Sequence, residues 1–235
     1  MTSDFIAVIY QVMILVPAFI LILTFRGFFR ALFANFMGDR TARNEGFMSL
    51  NPAMHIDLLG LLILFFILGI IGGFLGKNVF HRILFLVLIF AGVHWSYKVP
   101  INSENFKKFK RGTILVAIAG SLGNFLLVLL TLYFLEYFPF KFFPAYVGKT
   151  FIGICDRIIG LAIFLGLIHL IPIPPFDGGQ LLQFILPASK KNLVVWFEEN
   201  AFFVFLVFIF LSDLFFVFLS KIAISVYLLL NCLVF

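Results

Sequence analysis

Few side chains in this chain could do chemistry, and most of them border long apolar runs. The 235 residues hold 11 acids, 4 histidines and 2 cysteines. Asp177 ends the stretch Ile171-Pro172-Ile173-Pro174-Pro175-Phe176 and is followed by Gly178 and Gly179, a turn-forming pair. His169 lies shortly before it. A carboxylate and an imidazole can both ligate a metal, but a zinc site needs at least three converging ligands. The remaining histidines are poor candidates for a third. His81 falls at a turn expected on the opposite side of a membrane, His94 ends an apolar run, and His55 belongs to a polar segment. A lone intramembrane histidine more often hydrogen-bonds inside its bundle, although such residues also mark functional sites. Cys155 and Cys232 both sit in apolar runs, with no CxxC pair or disulfide framework. No G-x-x-x-x-G-K or G-x-G-x-x-G loop is present, so nothing points to a nucleotide.

The elements that must position these residues are membrane helices. The chain is 63% hydrophobic and 12% charged, where a soluble domain is about 45–50% apolar and about 25% charged. The composition predicts an all-α polytopic membrane protein with about six transmembrane helices. Residues 1–235 read as a single integral membrane domain surrounded by membrane lipids. Phe5 to Phe25 is an uncharged run long enough to cross a hydrocarbon core of about 30 Å, bent at Pro17 if anywhere. A cleaved signal peptide needs a basic start and a small-residue cleavage site. Asp4 is the only charge before the run and no A-x-A follows, so the run is expected to stay as a helix. Further runs cover 58–76, 79–95, 113–138, 151–171 and 201–220. The last, Ile222 to Phe235, is short enough to be a half-span or an interfacial helix. Asp213, inside the sixth run, is expected to face protein or water. Arg157 is expected to snorkel to an interface.

Orientation follows from the basic residues, which cytoplasmic loops carry in excess. Segments 26–57, 96–112 and 187–200 hold four, five and two of the 17 lysines and arginines. All three lie on one face if the N-terminus is outside. This bias accounts for the net charge of +6 without a nucleic acid partner.

Three blocks of sequence together resemble one family. The first is Gly38-Asp39, Thr41-Ala42, Leu50-Asn51-Pro52 and His55-Ile56-Asp57. The second runs from Lys98-Val99-Pro100-Ile101-Asn102 through Asn105-Phe106 and Lys110-Arg111-Gly112 to Ala119-Gly120-Ser121-Leu122-Gly123-Asn124. The third is Ile171 to Gly179, with Pro174, Asp177 and Gly178. Their types and order resemble the site-2 proteases, intramembrane zinc metalloproteases, in the compact bacterial branch without a PDZ domain. The resemblance implies a site-2-protease-like core and a bacterial cytoplasmic (inner) membrane location. In that family an HExxH helix end supplies two histidine ligands and a glutamate base, and the aspartate of the D-G-G loop completes the site. The bound metal lowers the pKa of a water to about 7.

Aligned on these motifs, HExxH falls on Arg26-Gly27-Phe28-Phe29-Arg30. Arginine stays protonated and cannot ligate zinc, and Gly27 has no side chain to carry a proton. Only Asp177 remains of the catalytic set, with His169 the best candidate for rebuilding one. The resemblance therefore implies a degenerate former active site at Arg26, Gly27, Arg30, Asp177 and His169, with no catalytic residue, metal or cofactor. Gly38, Asp39, Asn51, Pro52, His55, Asp57, Asn102, Gly120, Asn124, Pro174 and Gly178 would be structural. The expected function is that of a pseudoprotease that binds, scaffolds or stabilises another membrane or cell-envelope protein. The competing expectations are an active metalloprotease with unusual ligands and a transporter, although the latter lacks symmetric broken helices. Either arginine is expected to pair with Asp177, the alternative being that both snorkel to headgroups. The substitutions Arg26→His, Gly27→Glu and Arg30→His, which restore the motif, are expected to be compatible with the fold.

Overall fold

A computed structural model of the chain describes residues 2–57, 98–139, 142–174, 176–187, 191–200, 203 and 212–234. The runs expected at 58–76 and 79–95, with His81 and His94, lie outside the described residues, as does most of 201–211. Within the described residues the chain forms helices, with no strand. The long helices are α1 (Thr2–Met37), α3 (Phe109–Tyr137), α4 (Ala145–His169) and α7 (Ser212–Cys232); the short ones are α2 (Thr41–Asn44), α5 (Leu182–Ile185) and α6 (Lys191–Glu199).

Three stretches are long and apolar enough to cross a membrane: Met13–Met37, Phe109–Tyr137 and Ala145–His169. At about 1.5 Å per residue each exceeds a core of about 30 Å. Helices α1, α3 and α4 pack pairwise. Ala18, Phe19 and Ile22 of α1 meet Val128 and Leu132 of α3 and Ala162 and Ile163 of α4 in one buried cluster. Small residues let the helices approach closely. A β-carbon at Gly123 would lie 2.8 Å from the Phe29 ring and 2.9 Å from the Phe25 carbonyl, so this glycine admits α1 to the face of α3. Ser121 Oγ adds a polar tie, donating to the Gly166 carbonyl at 2.7 Å.

Two expectations need correction. The segment 26–57 is not a loop from its start, because α1 continues to Met37. Ala31 and Ala34 in this extension are fully buried, and the apolar residues between the arginines keep it packed. The break expected after residue 220 is absent: α7 runs unbroken through Lys221 to Cys232. Asp213 lies on α7, with its side chain outside the described residues. Arg157, exposed midway along α4, donates from Nη2 to Gln11 Oε1 at 2.7 Å and ties α4 to α1.

The end of α1 shows why Gly38 and Asp39 stand where they do. Gly38 has φ +115°, open to glycine but strained for other residues. Its N–H donates to Asn35 O at 3.1 Å and that of Asp39 to Ala34 O at 3.0 Å, the paired bonds that close a helix C-terminus. Asp39 Oδ1 then accepts from Thr41 N, Thr41 Oγ1 and Asn105 Nδ2, and Oδ2 accepts from Asn102 N at 2.8 Å. Lys107 N donates to Met37 O at 2.9 Å. The end of α1 and the loop leading into α3 are thus fastened together at one end of the bundle.

Candidate functional site

One buried ion cluster joins three of the elements. Arg26 and Arg30 are one helical turn apart on α1, so their side chains leave the same face. Arg26 donates to Asp177 Oδ2 from Nη2 at 2.8 Å and from Nε at 3.2 Å. Arg30 Nη1 pairs with the other oxygen, Oδ1, at 2.7 Å. All three residues are buried, at 8%, 8% and 6% exposure. Each carboxylate oxygen therefore faces its own guanidinium, and neither arginine is left to snorkel.

Glycines shape the cluster. A β-carbon at Gly120 of α3 would come within 2.9 Å of Arg26 Cγ and 3.3 Å of Asp177 Oδ2, so the helix leaves room for the ions there. Asp177 itself is carried by a tight 3₁₀ turn, Asp177–Leu181. A β-carbon at Gly178 would strike the carbonyls of Ile171 and Leu170, and one at Gly179 would sit 2.7 Å from Pro174 N. The turn is folded directly onto the backbone of the proline segment, which aims its carboxylate back at α1. Pro174 is buried in this contact.

His169 and His55 stand close to the cluster in different ways. His169, at the end of α4, is 1% exposed. Its Nδ1 lies 2.7 Å from Leu165 O, so Nδ1 carries the proton and Nε2 holds a buried lone pair without a hydrogen-bond partner. Its ring meets Phe176 edge to face, at 5.9 Å between centroids. His55 is fully buried, and its Nε2 lies 2.7 Å from Ser49 O, which assigns the proton to Nε2. Burial holds the His55 imidazole below its ordinary pKa despite that carbonyl. Its Nδ1 is turned toward Gly27: a β-carbon there would overlap it. The space above residue 27 is thus filled by the His55 ring. Any side chain restored at 27 therefore requires the His55 ring to shift, a demand that the motif alone does not reveal. No spacing in the sequence relates residues 27 and 55, so only the buried fit could reveal this.

The other motif residues hold the surrounding loops. Asn51 Oδ1 accepts from Ala53 N at 3.1 Å and starts a 3₁₀ turn with Pro52 in its first position. Asn102 Oδ1 does the same for Glu104 N at 3.0 Å. Asp57, half-buried, follows the buried Ile56. Asn124, fully buried one turn beyond Gly120, is different, since neither amide atom has a hydrogen-bond partner among the described residues. Burial raises the Asp39 carboxyl, but the bonds from Asn105, Thr41 and Asn102 outweigh it and hold the group below the usual carboxylate range.

The donor set does not fit zinc. Both oxygens of Asp177 are held by cations, and an arginine offers no lone pair. Among the described residues no three His, Cys, Asp or Glu side chains converge. Comparison with known proteins finds one similar sequence, "Putative zinc metalloprotease YwhC" of Bacillus subtilis (strain 168). It is 27% identical over 177 residues, covering 72% of this chain and 68% of that protein. No family profile matches the chain, and no solved structure does.

Proposed function

We propose that this chain is a pseudoprotease of site-2-protease type, a membrane protein of about six spans whose metal has been replaced by an ion cluster. The observation that carries this reading is the occupation of both Asp177 oxygens by Arg26 and Arg30. Similarity to a protein named as a zinc metalloprotease supports the family origin. The HExxH helix end is then Arg26-Gly27-Phe28-Phe29-Arg30, with guanidiniums at the ligand positions and no base at 27. An ion cluster of this kind fastens α1 to the Asp177 turn, as a shared metal would, but activates no water. What remains is a rigid intramembrane body able to bind, scaffold or stabilise another membrane or cell-envelope protein. Its place is the bacterial cytoplasmic membrane, with the N-terminus outside and the Asp177 turn in the cytosol.

Affinity purification from native membranes in mild detergent tests the role, and metal analysis with a peptide-cleavage assay tests the chemistry. The expected result is a co-purifying membrane or envelope protein, no stoichiometric zinc and no cleavage. One zinc per chain that Asp177→Ala removes, together with cleavage that it abolishes, would establish instead an active metalloprotease with non-standard ligands.

A further inference from the structure

Beside the ion cluster lies a cavity of about 440 Å³, bounded by the 98–106 loop, the start of α3 and the turn after Asp177. Arg30, Lys98 and Gln180 give it polar groups; Val99, Phe106 and Val116 give it an apolar wall. Arg30 is the informative residue. Its Nη1 pairs with Asp177, yet its Nε is buried with no hydrogen-bond partner among the described residues. A buried donor left unsatisfied keeps its full desolvation penalty, the more so when charged. Arg30 also shares its carboxylate with Arg26, so two guanidiniums meet one acid. Lys98 adds a further cation at the exposed rim.

We propose that this cavity binds a phosphate group, with Arg30 bridging Asp177 and the phosphate. A guanidinium has five donors in a planar fork that matches phosphate geometry, and it can serve two anions from different edges. The volume is far larger than a single-atom ion needs, and Lys98 and Gln180 offer further donors to a group with several oxygens. The apolar wall suits the carbon part of a phosphate ester. The phosphate can come from an anionic phospholipid at the membrane surface or from a soluble phosphate. This goes beyond the proposed function and rests on Arg30 and the cavity alone, with or without catalysis at the neighbouring cluster.

The test uses the full chain, purified and stripped of lipid in a neutral detergent. Bound phosphorus and native mass are measured after exposure to phosphatidylglycerol, to diacylglycerol as the phosphate-free control, and to inorganic phosphate. Phosphatidylglycerol is expected to bind and diacylglycerol not to. Lys98→Glu and Gln180→Ala, both at exposed positions that spare the core, should each weaken binding, the former by about ten-fold or more. Lys110→Glu, on the adjoining basic surface but outside the cavity lining, should leave this binding unchanged. Displacement of the lipid by inorganic phosphate with the same Lys98 dependence identifies a soluble phosphate as the occupant; resistance to it identifies the lipid. The proposal is overturned if neither phosphate binds, if binding ignores Lys98→Glu, or if it follows Lys110→Glu instead. Lys98-dependent capture of an acidic peptide in place of phosphate would also overturn it.

Discussion

At the scale of single residues the Asp177 carboxylate is held by charge, with Arg26 on one oxygen and Arg30 on the other. Two cations on one carboxylate are not equivalent to remove. Loss of either arginine leaves a neutral pair, whereas loss of Asp177 leaves two buried like charges one helical turn apart. Asp177→Ala is therefore expected to cost at least the about 3–5 kcal/mol typical of a broken buried pair, and more than Arg26→Ala or Arg30→Ala. Unfolding in detergent measures this. The Arg30→Ala, Asp177→Ala double variant should lose less than its singles summed, and strict additivity for both arginines would refute the pairing. Gly27 makes a second prediction. Gly27→Ala pushes a methyl into the His55 ring, and overpacking of this kind costs about 1–3 kcal/mol. A His55→Ala background should relieve most of that cost; if the two substitutions act independently, His55 is not what fills the space. Pairing of one arginine with Asp177 was expected from the family resemblance, which puts residues 26 and 30 at ligand positions facing that acid; that both arginines share it was not. The contact of Gly27 with His55 was not legible either, because a glycine in a helix carries no sign of what lies against it.

At the scale of elements, the polar end of the bundle is held by short turns, each built on one side chain. Asp39 is the strongest of them, with four hydrogen bonds accepted by its two oxygens. Its folded pKa is depressed, so its contribution is fully present above the ordinary carboxylate pKa of about 4 and is lost as pH falls through the lower folded value. Stability measured across that acid range should fall with pH in the natural chain. Asp39→Asn should be less stable at neutral pH and lose part of that dependence; an unchanged acid profile would mean that Asp39 does not clamp the loop. Gly38→Ala should destabilise as well, by about 1 kcal/mol or more, since it strains a backbone at φ +115° and meets Asn105 O at 2.9 Å. The apolar runs were readable from hydropathy, and the Gly-Asp-x-Thr, Asn-Pro and Asp-Gly-Gly segments were picked out by their resemblance to one family. The continuation of α1 to Met37 and of α7 through Lys221 was readable from neither. Hydropathy stops at a charge, whereas a helix stops only where its hydrogen bonds are capped, and here that is Gly38.

At the scale of the whole molecule, contacts at one end of the bundle constrain the crossing pattern. Met37 O accepts from Lys107 N, and Asp39 binds Asn102 and Asn105, so α1 ends where α3 begins. Arg26 and Arg30 meet Asp177 just beyond the end of α4, which places the close of α4 at that same end. If the two apolar runs read from the sequence at 58–76 and 79–95 both cross a membrane, they return the chain to this same side. Arg40, Arg43, Lys98, Lys107, Lys108, Lys110 and Arg111 all follow or precede these helix ends on this side. A basic excess of this kind is expected on the cytoplasmic face, which predicts that the start of α1 lies outside. Two reporter fusions check the whole arrangement. One placed in the 38–51 segment and one placed after Lys191 should both report a cytosolic location. If the two disagree, an odd number of crossings separates them and the shared polar end is wrong. If both report the outside, the bundle is right but inverted, and the phosphate cavity would face the other leaflet.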